Sequence, residues 1–127
     1  MSTILAADVG EGVRLLEEAF PSRVSCEADG QGGAYVTVGD VDLGGTWNVA
    51  VAPLSFHLAY NYPAAAPYPF YLPAGTRPSG GWPNGLQRVH WRDRDVVQVS
   101  LRHNRWDPAR DSAVGSVLQV RDWLRAL

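Results

Sequence analysis

Leu54-Ser55-Phe56-His57-Leu58-Ala59-Tyr60-Asn61-Tyr62-Pro63-Ala64-Ala65-Ala66-Pro67 changes character at Asn61. Before that point Leu54, Phe56, Leu58 and Tyr60 alternate with Ser55, His57 and Ala59, the period-two pattern of a strand with one face on a core. The other face should meet water or a partner. After it, Pro63 and Pro67 each remove an amide donor and restrict the preceding residue, so the strand must end and the chain must turn off its sheet.

Upstream, Val9, Val13, Leu16 and Phe20 recur at helical spacing while Glu11, Arg14, Glu17 and Glu18 supply a wet side. The spacing predicts an amphipathic helix capped by Asp8, weakened in its first turn by Gly10 and Gly12, and stopped at Pro21. Arg23 to Ala28, Ala34 to Leu43 and Trp47 to Tyr60 then read as three strands of an antiparallel meander. Asp29-Gly30, Gly32-Gly33, Gly39-Asp40 and Gly44-Gly45 punctuate them.

Downstream, Asn61 to Asn84 carries Pro63, Pro67, Pro69, Pro73, Pro78 and Pro83, which argues against any regular strand or helix. It also carries Tyr62, Tyr68, Phe70, Tyr71 and Trp82, too many aromatics for a flexible linker, so a packed and largely extended loop is expected. Leu86 to Trp91 and Val96 to Leu101 read as two further strands around the charged turn Arg92-Asp93-Arg94-Asp95. A final helix should open on Asp111 as its cap and bury Val114, Val117, Leu118, Trp123 and Leu124.

The 127 residues suit one domain, spanning 1–127, and 46% hydrophobic residues suffice for one core. A net charge of -2 gives no electrostatic reason to expect nucleic acid or an anionic membrane as partner. The N-terminal residues lack a basic region, and no run of eighteen apolar residues occurs, so a cytoplasmic protein without a membrane segment is the expectation. The single cysteine, Cys26, can form neither an intramolecular disulfide nor a cysteine zinc site. Alternation with Val24 predicts that it is a small buried hydrophobe. His57, His90 and His103, taken with Asp93, Asp95 and Asp107, form no compact ligand motif, and no cofactor is expected. All 11 basic residues are arginines. A GC-rich genome is the simplest cause of that bias.

The order of helix, meander, proline-aromatic loop, further strand, tryptophan-proline corner and helix resembles the ubiquitin-conjugating enzyme fold. Tyr62-Pro63-Ala64-Ala65-Ala66-Pro67 is similar to the Tyr-Pro-x-x-x-Pro element of that family, Trp106-Asp107-Pro108 to its Trp-x-Pro corner, and Trp82-Pro83-Asn84 to its His-Pro-Asn with tryptophan in place of histidine. The resemblance implies an α+β domain with an N-terminal helix, an antiparallel sheet of about four strands with the proline loop on one edge, and a C-terminal helix. It is closest to divergent bacterial members encoded beside ubiquitin-like proteins and activating enzymes.

Such an enzyme carries its cargo as a thioester on a cysteine between the two motifs, because a thiolate is nucleophilic near neutral pH. Gly85 to Arg105 contains no cysteine, and the corresponding position falls near Gln98. The resemblance therefore implies no catalytic residue and a binding module instead, docking a ubiquitin-like protein or its activating enzyme, with a dimer as one possible assembly. Tyr62, Pro63, Pro67, Trp82, Asn84 and His103 are the candidate binding residues, since aromatic side chains dominate interface energetics. Lack of lysine fits a protein that avoids labelling itself beside an activated thioester. The alternative is a conjugating enzyme that uses Ser100, activated by His103, in place of cysteine. An offset of three residues on one strand would put these two side chains on opposite faces, so that reading requires a bend at Arg102.

Overall fold

The computed structural model describes residues 4–127, so the first three residues of the N-terminal stretch lie outside the described residues. Helix α1 spans Ala7–Ala19 and strands β1 to β3 span Val24–Ala28, Ala34–Asp42 and Val51–Leu58. They are followed by β4 (Phe70–Pro73), β5 (Leu86–Trp91), β6 (Arg94–Val99) and helix α2 (Ala113–Arg125). The strands form one antiparallel sheet in the order β1-β2-β3-β4-β6-β5. The domain is thus α+β, with a helix at each end of the described chain around six strands rather than about four.

Both helices lie on one face of the sheet. Val9, Val13 and Leu16 of α1 and Val117, Val120 and Leu124 of α2 share a core with Val36, Leu54, Phe56, Phe70, Val97 and Val99. The periodicities of the sequence select Val9, Val13, Leu16, Val117, Leu124, Leu54 and Phe56, whereas Val120 is buried without having been expected to be and Val114, Leu118 and Trp123 are only partly buried, and the caps also differ from expectation. Ala6 rather than Asp8 precedes α1 and gives no side-chain cap, leaving Asp8 in the first turn where its charge suits the helix dipole. Ser112 rather than Asp111 caps α2, its Oγ accepting the Gly115 N–H at 3.2 Å. Asp111 is turned back instead, its Oδ2 accepting the Asp107 N–H at 2.7 Å.

The largest departure is β4. Pro69 and Pro73 bracket the apolar run Phe70-Tyr71-Leu72, which keeps its own amides and pairs on both sides, Phe70 and Tyr71 with β3 and Phe70 to Pro73 with β6. The proline loop therefore contributes a central strand instead of lying on an edge. Prolines that fall at a strand's start and end cost few ladder bonds, so their number did not forbid pairing. Of the remainder, residues 75–79 run along residues 46–48, whereas residues 61–64 and 79–80 form turns and residues 79–82 are exposed, so the packed, extended loop is met only in part. Asn48 Nδ2 donates to Gly75 O at 2.7 Å, Asn48 Oδ1 accepts the Arg77 N–H at 2.9 Å and Thr46 O accepts the Ser79 N–H at 2.7 Å.

That engagement also explains why β3 starts at Val51 rather than Trp47. Trp47 bridges to Pro78 and its Nε1 donates to Leu124 O at 2.9 Å, tying this stretch to the end of α2. The β5–β6 turn is tighter than the four charged residues suggested, with Arg92 and Asp93 at φ 51° and 63° as its two central residues and β6 ending at Val99, short of Leu101. Phe70 is 1% exposed in the middle of the sheet and its ring lies 5.1 Å from that of Phe56. Phe70→Ala is expected to cost about 3–5 kcal/mol of unfolding free energy, measured by urea denaturation. A loss under about 1 kcal/mol would return β4 to the status of a loosely held loop.

Candidate functional site

The sequence-derived residues divide between two places. At the first, Tyr62 is 7% exposed and works as a hub. Its hydroxyl accepts the Ala113 N–H at 2.9 Å, satisfying a free donor in the first turn of α2. Gly12 of α1 is shaped by the same ring, because a Cβ there would fall 2.9 Å from Tyr62 Cε1. Pro63 follows through a cis peptide and its carbonyl accepts Trp106 Nε1–H at 2.7 Å. The His103 ring stands edge-on to Trp106 with centroids 5.5 Å apart, and its Nε2 is 3.5 Å from Asp111 Oδ1. His103 Nδ1 is buried with no partner among the described residues. Pro67 is buried. Tyr62, Pro63, Trp106 and His103 are thus brought together, chiefly as packing, and only a shallow cavity of about 220 Å³ beside Tyr68, Arg102 and His103 opens there.

Trp82 and Asn84 belong to a second surface. Trp82 is 41% exposed with the Arg88 guanidinium 5.1 Å from its ring centre. With Pro78, Gly81, Pro83, Thr46 and Leu127 it lines an open groove of about 340 Å³. Asn84 is exposed and leads into Gly85, whose φ of 95° makes the turn into β5.

Chemistry at Ser100 is poorly served. Its Oγ accepts from Gln98 Nε2 at 3.0 Å, and an amide cannot take its proton, while His103 faces Trp106 and Asp111. Cys26 is exposed, which corrects the buried position expected of it. It lies on edge strand β1 opposite Val36, where partial burial and the Glu17 carboxylate push its thiol pKa up. A thiol shifted that way is less nucleophilic near neutral pH. Among the described residues no group of three or more His, Cys, Asp or Glu is placed to hold a metal ion. No helix among them is long and apolar enough to cross a membrane.

The sequence reading left the sheet face opposite the helices to water or a partner, and missed how it is built. Tyr35 stacks on His57 with centroids 4.8 Å apart, and Tyr71 stacks on Trp91 at 3.9 Å. Arg92, from the β5–β6 turn, lies 3.7 Å from the centre of the Tyr35 ring and donates to Glu27 Oε2 at 2.6 Å. Glu27 is on β1, at the opposite end of the strand order. A flat sheet would hold the outer strands about 24 Å apart at the usual strand spacing, far beyond the reach of one arginine. The sheet is therefore strongly coiled, and the hairpin tip folds over its open face. Beneath that tip lies a cavity of about 200 Å³ lined by Thr37, Ser55, Tyr71 and Arg94. Its signal in the sequence was limited to Tyr35, His57 and Trp91 on strand positions that alternate with the core, since Tyr71 fell in the segment read as a loop. Comparison with family models, with curated proteins and with solved structures finds no match to this chain.

Asp29 anchors one end of the same face. Its side chain is 7% exposed, His57 Nε2 donates to Oδ2 at 2.7 Å, and Oδ1 accepts the Gln31 and Gly33 amides at 2.7 and 3.0 Å. Burial disfavours the carboxylate, but these hydrogen bonds outweigh it and hold its pKa below the ordinary 3.8. A depressed folded pKa contributes stability that is present above the unfolded value and is lost as pH falls through the folded one. Asp29→Asn is therefore expected to be less stable than the parent at about pH 7, with the gap narrowing as the pH is lowered below about 4. Urea titrations across that range check it, and a gap independent of pH would show that the carboxylate charge contributes nothing.

Proposed function

We propose that this chain is a non-catalytic binding module of the ubiquitin-conjugating type, which docks a ubiquitin-like protein or its activating enzyme. One observation carries the reading furthest. Two of the three sequence elements on which the resemblance rests, Tyr62-Pro63 and Trp106-Asp107-Pro108, meet through the 2.7 Å hydrogen bond from Trp106 Nε1 to Pro63 O, while the third, Trp82-Pro83-Asn84, lies on another surface. Elements related only by chance would have no reason to share a donor and an acceptor across 43 residues. A helix-first α+β order with an antiparallel sheet and a helix after the corner is compatible with that fold, although β5 and β6 extend the sheet beyond the expected meander.

The binding role rests on what the active-site stretch supplies. Gln98 occupies the position nearest the family's cysteine, Ser100 has no base, and the Cys26 thiol is shifted away from reactivity. What remains on that side is contact surface, above all Trp82 with Arg88 over its ring and a groove formed with Gly81 and Pro83. An amphipathic ring half in solvent beside a guanidinium has the composition of an interface anchor.

Two tests follow. Incubated with a ubiquitin-like protein, its activating enzyme and ATP, the purified protein is expected to form no thiol-sensitive adduct, and an adduct abolished by Cys26→Ala would overturn the non-catalytic reading. Trp82→Ala is expected to keep its melting temperature and lose about 2 kcal/mol or more of affinity for the partner. Trp106→Ala should cost about 3 kcal/mol of stability, because it opens a cavity and leaves Pro63 O without its donor. Calorimetry on both variants and titration with the products of neighbouring genes decide the matter. A folded Trp82→Ala protein with unchanged affinity removes this surface from the interface.

A further inference from the structure

The cavity beneath the hairpin tip differs from the other concavities in combining enclosure with unspent polar groups. It lies between β2, β3, β4 and β6 on the coiled open face, with Pro53, Leu72, Pro73 and Val96 supplying apolar wall. At about 200 Å³ it is smaller than a drug-sized pocket and suits a small molecule or the last atoms of a chain. Thr37 Oγ1 and Ser55 Oγ face each other at 2.9 Å, so between them they use one proton and leave one to donate. Ser55 is 8% exposed.

Two donors in the lining have nothing to donate to. Arg94 makes no ion pair or hydrogen bond with a described residue, and its guanidinium stands 6.0 Å from the Trp91 ring centre. Asp95 also contributes to the lining, but it alternates with Arg94 along β6, so its side chain leaves by the other face, where Oδ1 is 3.2 Å from His90 Nδ1, and Glu27 is taken by Arg92. The Tyr71 hydroxyl likewise has no hydrogen-bond partner among the described residues, while its ring is fixed against Trp91. Burial and, secondarily, Tyr68 push its pKa up, so it remains a protonated donor throughout the neutral range.

An exposed guanidinium at the rim of a largely apolar cavity, with a phenol and a hydroxyl pair in its lining, selects an acceptor that carries one negative charge and an apolar body. We propose that this cavity binds a carboxylate with a short aliphatic tail, held by Arg94 and Tyr71 and oriented by the Ser55–Thr37 pair. The apolar walls and the single free cation disfavour phosphate and sulfate, which bring more charge than the site can match. The ligand chemistry is the same whether the carboxylate belongs to a free short-chain acid or to the C-terminus of a peptide, and the proposal is independent of docking at Trp82.

The test is an amide-resolved NMR titration of the full chain at fixed ionic strength with butyrate, butyramide, inorganic phosphate, and an acetylated tripeptide ending in valine as free acid or as amide. The expected result is saturable shifts centred on Ser55, Tyr71, Arg94 and Val96 for carboxylates alone. Butyrate binding would identify a free acid as the source, and binding by the peptide acid without butyrate a chain terminus. Arg94→Gln should weaken binding at least about tenfold, the loss expected for one charge-assisted hydrogen bond. Arg94→Lys should recover part of it, and Arg14→Gln, which makes the same charge change on α1, should not alter it. Equal response to acid and amide, phosphate binding as well as butyrate, or unchanged affinity in a folded Arg94→Gln protein would each overturn the proposal.

Discussion

Tyr62 holds together parts of the chain that no strand pairing connects. Its ring fills the space that Gly12 leaves on α1, its hydroxyl takes the Ala113 N–H at the start of α2, and the next residue gives its carbonyl to Trp106. An aromatic with one polar end can do both jobs, burying a large apolar area while satisfying a donor that the helix cannot satisfy itself. Removing only the hydroxyl would leave the Ala113 amide unpaired in a buried place, which costs more than the bond itself is worth. The corner after β6 is thereby located by the corner after β3, and α2 starts where it does because both are fixed.

On the other face the constraint is curvature. Arg92 closes the distance between the outer ends of the sheet, and the residues it meets are arranged in series: His57 on Tyr35, Arg92 on Tyr35, Trp91 on Tyr71. Two non-glycine residues in the left-handed region form the turn that presents it, a conformation that costs something at each position and persists only where surrounding contacts over-determine it. The Arg92 side chain supplies such contacts through the Tyr35 ring and Glu27. Because Glu27 is mostly exposed, the ion pair itself contributes little, and the stacked guanidinium accounts for more of the gain.

Periodicity made the helices and the meander legible, since Val9, Val13 and Leu16, or Leu54, Phe56 and Leu58, repeat at the period that their burial demands. The strand β4 was hidden because four residues are too short for a period to show, and the prolines on both sides read as breakers although they sit where a strand tolerates them. Of the six candidate binding residues, Tyr62, Pro63 and His103 lie beside Trp106, where their part is mainly structural, while Trp82 and Asn84 lie on a separate surface. The open face could not be read, because Tyr35, His57, Tyr71 and Trp91 are far apart in sequence and come together only once the strand order and its coiling are known. Nothing local records that Arg92 reaches Glu27, 65 residues away.

The β5–β6 hairpin sets the spatial relation between the two surfaces. At its open end Gly85 O accepts the Ser100 N–H at 2.8 Å, so the loop that carries Trp82 and Asn84 and the segment leading to His103 leave the sheet side by side. At its closed end Arg92 and Arg94 lie over the aromatic face. The six residues of β5 separate them by about 20 Å at the usual rise of a strand. Sites that far apart with no shared partner are normally independent in their energetics. The hairpin touches both surfaces but is paired to the central strand β4 only over Val96 to Val99, so coupling, where it occurs, has to pass through a change in how the unpaired hairpin tip is clasped.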